Sequence, residues 1–255
     1  MSSATPPSAR PSPAPASRRV LAQAGYEAGV LLRNGEQLLV SLVLPLLALV
    51  GLVLAPYPDL PEPRVDAVAP GVLALVVVST AFTGQAIQTG FDRRYGVLRL
   101  LGTTPLGRDG LLLGKALAVL AALVGQLLVV GAAALTMGWR PAWSGLPTAV
   151  VSVALGAWAF VALALVLAGT LRAEAVLALA NLVWVLLAGA GGLLLASEVF
   201  SPGLAAVTRW LPSGALGDAM RLSADGGLPW APWLVLLGWA LGLSAVAVRT
   251  FRWDD

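Results

Sequence analysis

A chain of 255 residues that is 58% hydrophobic and 11% charged lies far from an ordinary soluble domain, which is about 45–50% apolar and about 25% charged. Its formal charge of +3 comes from basic residues flanking apolar runs, so it reads as a membrane-topology signal and argues against a nucleic-acid partner. With no Cys and no His, disulfides, thiolate chemistry, the commonest zinc, iron and copper ligands, and imidazole acid–base catalysis are excluded.

At about 20 apolar residues per span the chain has room for about six helices and no separate soluble domain. Residues 1–19, rich in Pro, Ser and Ala without an apolar h-region, predict a disordered tail. The remainder, 20–255, is expected to be one membrane domain. From Val20 to Glu36, Leu21, Tyr26, Val30 and Leu32 are interleaved with Glu27, Arg33 and Glu36, a weakly amphipathic pattern for a helix lying in the interface. Gly25, Gly29 and Gly35 weaken it.

The first span is expected over Leu38–Pro56, with a kink at Pro45, followed by a Pro-rich external loop from Tyr57. The second covers about Ala67 to Gly90. Residues 91–110 then carry Arg93, Arg94, Arg99 and Arg108; burying these at mid-bilayer would cost about 2.5–3.5 kcal/mol each, so the segment belongs outside the hydrocarbon. The third span is expected over about Leu111 to Met137, and the fourth over about Thr148 to Gly169, after a turn carrying the interfacial aromatics Trp139 and Trp143. The tight connection Thr170–Ala175 makes the fourth and fifth spans antiparallel neighbours, the fifth running from about Val176 to Ala196. Its Ala188, Gly189, Gly191 and Gly192 are expected to permit close helix packing. Residues 197–229 predict two short helices, Gly203–Leu211 and Ala215–Leu222, separated by Pro212 and Ser213; the last span follows over about Trp230 to Val248.

In this six-span arrangement one side holds Arg10, Arg18, Arg19, Arg33, Arg93, Arg94, Arg99, Arg108, Lys115, Arg172, Arg249 and Arg252. The other holds Arg64, Arg140, Arg209 and Arg221. The excess assigns both termini and the 91–110 segment to the cytoplasm. Lys115 is the lone lysine, and with the abundance of Arg, Ala and Gly this favours a GC-rich bacterial genome, hence a multi-pass protein of a bacterial plasma membrane.

The stretch ending in Gly114-Lys115 is not a nucleotide-binding loop. A P-loop needs a Gly five places before the Gly-Lys pair and a Ser or Thr after it, whereas Asp109 and Ala116 occupy those positions here. Asp92 instead opens a candidate short helix on which Tyr95, Leu98 and Leu101 recur every three residues, a ridge suited to a partner, with Gly102–Pro105 terminating it. A plain cytoplasmic loop whose arginines only enforce topology is the simpler reading.

The order Asp92-Arg93-Arg94, Gly96, Leu98, Leu100-Leu101, Thr104-Pro105 and Gly114-Lys115 resembles the loop between the second and third spans of type-2 ABC transporter permeases, drug and antibiotic exporters among them. Asp92 stands where Glu is commoner. The resemblance extends over nearly all the chain: an all-α polytopic membrane protein with six transmembrane helices, a cytoplasmic N-terminal interfacial helix and two short outer-side helices before the last span. It implies that Asp92, Arg93, Arg94, Tyr95, Leu98, Arg99 and Leu101 couple to a separate ABC ATP-binding subunit. It further implies a second permease chain, as homodimer or heterodimer, and ATP with Mg held by the partner, this chain binding no cofactor and no metal.

Ion-coupled carriers need ionisable groups within the membrane, and the expected spans contain none apart from Lys115 near a helix start. Their polar residues are Ser79, Thr80, Thr83, Gln85, Gln88, Gln126, Ser152 and Asn181. Interhelical hydrogen bonding, about 0.6 kcal/mol each on average, accounts for any one of them. A translocation path is the alternative, with Thr80, Gln85, Gln88, Gln126 and Asn181 as candidates, Gln85 and Gln88 sharing one helix face. Apolar walls with Trp158, Trp184 and Trp239 suit a hydrophobic or amphipathic solute. An intramembrane enzyme needs a reactive constellation, and Asp59 with Glu62, Asp218 with Asp225, and Asp254-Asp255 read as solvated charges instead. A non-transporting membrane scaffold is the other alternative.

Overall fold

The computed structural model describes residues 14–97, 100, 106–196 and 199–251, the side chains at 107–109, 111 and 112 excepted. Among these residues all regular structure is helical. The elements are α1 (Ala16–Arg33), α2 (Gly35–Leu54), α3 (Arg64–Arg94), α4 (Gly107–Thr136), α5 (Leu146–Thr170), α6 (Ala173–Ala190), α7 (Pro202–Thr208), α8 (Pro212–Ala224) and α9 (Trp230–Thr250). Six of them, α2, α3, α4, α5, α6 and α9, are long and apolar enough to cross a membrane. A polytopic, all-helical membrane protein is therefore what the sequence builds.

From Val68 to Val78 the apolar residues of α3 leave no polar face, and a helix of that kind belongs in the middle of a bundle. It is there: 89% of its most apolar stretch is buried inside the protein, against 17% for α2, α6 and α9. Val68, Val72, Leu75, Val76 and Phe82 are fully buried, and the Phe82 ring meets Phe160 of α5 at 6.3 Å between centroids. The other spans each give one side to α3 or to one another and turn the opposite side outward. α9 lies along α5, and α1 lies along α4.

Two spans widen locally into π-helix, α2 at Leu39–Val43 and α3 at Ser79–Gly84, and these two segments touch. In α2 the wide turn immediately precedes Pro45, which opens the following α-helical stretch and is accommodated there, since proline has no N–H to give and its ring crowds the carbonyl four residues back. At Gly84 of α3 the Gln37 side-chain amide occupies the space a Cβ would need.

Several boundaries differ from expectation. α1 begins at Ala16, inside the segment expected to be tail, and ends at Asn34, whose side chain accepts from the Gln37 N–H at 3.1 Å and so starts α2. α3 does not stop at Gly90 but continues through Asp92, Arg93 and Arg94, so Asp92 does not open a new helix. It ends at Gly96, whose φ of +71° suits glycine alone. The expected terminator Gly102–Pro105 lies outside the described residues.

The fifth span is also shorter than expected. α6 stops at Ala190, and Gly192, at φ +72°, leads residues 191–195 off in non-helical backbone. Gly191 and Gly192 end the helix and also permit the close packing expected of them, since a Cβ would meet Ser213 Oγ at Gly191 and Thr208 and Gly214 at Gly192, whereas Gly189 has open space around it. The freed carbonyls are taken up by α8, which is wedged between α3, α5 and α9. Ser213 Oγ donates to Gly191 O at 2.8 Å, and the Arg221 guanidinium donates to Gly192 O at 3.3 Å and Leu193 O at 2.8 Å. Two short helices before the last span are therefore present, and Pro212 starts the second of them instead of merely separating the pair.

Gly71 of α3 makes this arrangement fit, because a Cβ there would meet Leu194 O and Leu193 O. Backbone cannot move aside as a side-chain tip can. Gly71→Ala is expected to lower stability by about 1–3 kcal/mol, read as a fall in the thermal unfolding midpoint of the detergent-solubilised protein. Gly51→Ala, with open space around it, is the control and should leave the midpoint in place.

The bundle has two chemically distinct ends. One gathers Glu27, Asp92, Arg93, Lys115, Ala168 and Leu171, with Phe251 packed on Gly169. The other is joined largely through backbone: Arg64 to Leu52 O, Arg140 N to Asp66, Ala142 N to Ala224 O, and Gly145 against Ser223 O.

Candidate functional site

At the charged end, the last turns of α3 meet the first turns of α4 and the flank of α1. A lysine entering an apolar span needs a counter-charge, and Lys115 has two. Its Nζ is 2.7 Å from Asp92 Oδ2 and 3.1 Å from each oxygen of Glu27. Glu27, only 4% exposed, also accepts from Gln23 Nε2 at 2.9 Å and from Gln88 Nε2 at 2.6 Å. Two carboxylates thus share one ammonium, and the two amides supply the remaining donors. α1 can approach closely because Gly114 of α4 leaves room for the Gln23 side chain, and Leu31 packs with Ala118 and Ala122 beside it. Three helices are fastened together by this one cluster.

One residue on, Arg93 faces the other way. It is 5% exposed, and its two terminal nitrogens donate to Ala168 O at 2.6 Å and Leu171 O at 2.5 Å. Carbonyls in the last turn of a helix have no intrahelical donor, so Arg93 caps α5 from a neighbouring helix. Arg94 pairs with Glu174 at the start of α6, and its guanidinium lies 5.9 Å from the centre of the Tyr95 ring. That ion pair is exposed at both partners and contributes little to stability. Tyr95 is 71% exposed and stacks on Phe91 at 6.0 Å.

The seven residues expected to contact an ATPase therefore divide. Asp92, 22% of its side chain exposed, and Arg93 are bonded within the chain itself. Helix α3 running straight on past Gly90 produces this, since one added turn brings Asp92 against α4 and Arg93 against α5. Arg94 and Tyr95 form an exposed corner. Leu98, Arg99 and Leu101 lie outside the described residues.

The five path candidates also separate. Thr80 Oγ1 donates to Gln126 Oε1 at 2.5 Å, and Gln126 Nε2 donates to Ser41 Oγ at 2.9 Å, a buried chain linking α3, α4 and α2 at the π segments. Gln88 is engaged by Glu27. Gln85 is 5% exposed and Asn181 half-buried, neither bonded to the Thr80–Gln126 pair. In the single chain these five do not converge on one opening. Beside the chain, Ser79 Oγ accepts from Trp184 Nε1 at 2.7 Å, while Gln37 Nε2 and Thr83 Oγ1 are buried without a hydrogen-bond partner.

Sequence reasoning missed Glu27, Gln23 and Ser41. Lys115 carried the available signal: a lone cation one turn inside an apolar helix requires a carboxylate nearby. Among the described residues no three or more Asp and Glu gather where they could hold a metal ion. The cluster ties α1 to the ends of α3 and α4. No family model matches the chain, and no curated protein matches it.

Proposed function

We propose that the chain is the transmembrane permease subunit of an ATP-driven ABC exporter, moving a hydrophobic or amphipathic solute out of a bacterial cell. ATP is hydrolysed, with Mg, on a separate subunit, and a second permease chain, identical or related, completes the path. The charged end faces the cytoplasm, in keeping with the excess of arginine there.

One observation carries this reading: the spans are free of charge through their middles, while α3, the buried central helix, ends in an exposed Arg94–Tyr95 corner braced from three sides. A helix so placed moves as a rigid rod. A force applied at the corner passes through Asp92 and Lys115 to α1 and α4, and through Arg93 to α5. Switching between inward and outward access then needs no ionisable relay in the membrane, since the energy arrives from the partner.

The test is whether the neighbouring reading frame encodes a chain with a complete P-loop, and whether that chain copurifies and reconstitutes with this one. Arg94→Ala with Tyr95→Ala should weaken ATPase capture by about tenfold, the scale of losing one or two interface anchors, and lower solute transport per ATP. Both side chains are exposed, so the fold should survive. Undiminished capture and coupling would reject the corner as the docking point, and transport by the purified chain alone along an ion gradient would reject the exporter reading.

A further inference from the structure

Beginning at the end opposite the charged cluster, Arg209 and Trp210 of the connection between α7 and α8, the flank of α8, and α9 as far as Val246 line an open groove of ≈ 1030 Å³. That is at the upper limit of ligand pockets, about 300–1,000 Å³. Its floor follows one face of α9, where Leu234, Gly238, Gly242 and Val246 recur every four residues. A Cβ at either glycine would meet nothing within 4 Å, so the trough is open along its length. Its walls are tryptophans: Trp210 and Trp230, 68% and 65% exposed, stand at the end near α7, and Trp239 Nε1 donates to Trp210 O at 2.8 Å.

The mouth of the trough is charged. Asp218 is held by Arg221 at 3.0 Å and is neutralised there. Arg209 has only a long contact from its Nε to Ala205 O at 3.4 Å; among the described residues no carboxylate pairs with it, and both terminal nitrogens are open. A guanidinium with two free donors, beside two exposed indoles of the kind enriched at membrane interfaces and at one end of an apolar trough, matches an amphiphile with an anionic phosphate and a hydrocarbon tail.

We infer that this groove is a binding site for one anionic phospholipid, its phosphate on Arg209 and one acyl chain laid along Gly238 and Gly242. A second copy of the chain is the competing occupant, since a Gly-x-x-x-Gly face can pack against another helix. The walls decide between them. Trp210, whose carbonyl accepts from Trp239 one residue from Gly238, stands exposed at that end of the floor and narrows it more for a helix backbone than for a hydrocarbon chain. Arg209 has no carboxylate partner among the described residues, while Asp218 at the same mouth is already held by Arg221, so the charge left over suits a phosphate.

The experiment uses the full chain in dioleoylphosphatidylcholine vesicles, with either dibrominated phosphatidylglycerol or dibrominated phosphatidylcholine as the minor lipid, and reads quenching of tryptophan fluorescence. The anionic lipid should quench more strongly at equal mole fraction. Arg209→Gln should abolish that preference, a fall of about fivefold, which corresponds to about 1 kcal/mol for one basic side chain at an anionic surface. Arg209→Lys should retain most of it. Gly238→Leu with Gly242→Leu, filling the trough where space is open, should reduce quenching by both lipids. Equal preference in wild type and Arg209→Gln, or quenching unchanged by the paired leucines, would overturn the site. Loss of a cross-linkable dimer on introducing the leucines, without any lipid preference in the wild type, would assign the groove to a second copy and overturn it too. No ATPase and no transport enter the measurement, so its outcome is separate from that of the exporter reading.

Discussion

Replacing Lys115 with Met is expected to lower stability by about 3–5 kcal/mol, the scale of removing one partner from a buried ion pair. Met preserves the length and the apolar stem, so the loss isolates the charge. Glu27 and Asp92 would then share a buried space with no cation between them, and Glu27, 4% exposed, cannot turn to water without α1 lifting from α4. Two readouts should move together: the thermal unfolding midpoint in detergent should fall, and trypsin should cut sooner at Arg18, Arg19 and Arg33 of α1. Adding Glu27→Gln should recover most of the loss, because it leaves one buried carboxylate instead of two. If the single variant melts like the wild type and α1 is no more accessible, the cluster does not hold the three helices together.

Arg93→Met comes next, at about 1.5–3 kcal/mol, the worth of charge-assisted hydrogen bonds to buried carbonyls. Ala168 O and Leu171 O would be left at the end of α5 with no donor. Arg93→Lys should recover less than the full amount, since one ammonium cannot span two carbonyls as the planar guanidinium fork does. The neighbour makes the contrast: Arg94→Met removes only an exposed pair and should stay within about 0.5 kcal/mol of the wild type. Equal midpoints for the Arg93 and Arg94 variants would remove the distinction between inward and outward arginines.

That distinction marks where the sequence stops being legible. Six apolar runs separated by charge and proline are long-range features, and each emerges as a helix able to cross a membrane. The short pair α7 and α8 is also readable, because residues 197–229 are too many for a structureless loop and Pro212 with Ser213 divides them; that Pro202 and Pro212 open the two helices is visible only in the structure. Asp92-Arg93-Arg94 is different: three consecutive charges on a helix point about 100° apart, so their environments depend on how far α3 continues and on what packs there. Nothing local to Gly90 says that the helix runs on. Similarly, Ala188–Gly192 satisfies both a packing pattern and a stop pattern, and the structure uses Gly191 and Gly192 for both: the positive φ of Gly192 ends the helix while the missing side chains let Thr208, Ser213 and Gly214 close in. Glu27 lies 88 residues from Lys115, in a segment whose weak amphipathicity concealed that its acid is buried. Hydrogen-bonded pairs such as Thr80 with Gln126 were visible as polar residues in apolar spans, but which one finds which requires the packed bundle.

The widened turns in α2 and α3 bear on how this chain can vary in length. A π turn absorbs one residue more than a regular turn, so the faces before and after it keep their directions. Deleting a residue elsewhere in α3 would swing everything downstream by about 100° and tear Asp92 and Arg93 from their partners. Deleting one inside Ser79–Gly84 would only return that turn to ordinary α-helix. Shorter relatives of the chain are therefore expected to carry their gap in that turn, and an alignment without a gap allowed there would put the charged end out of phase.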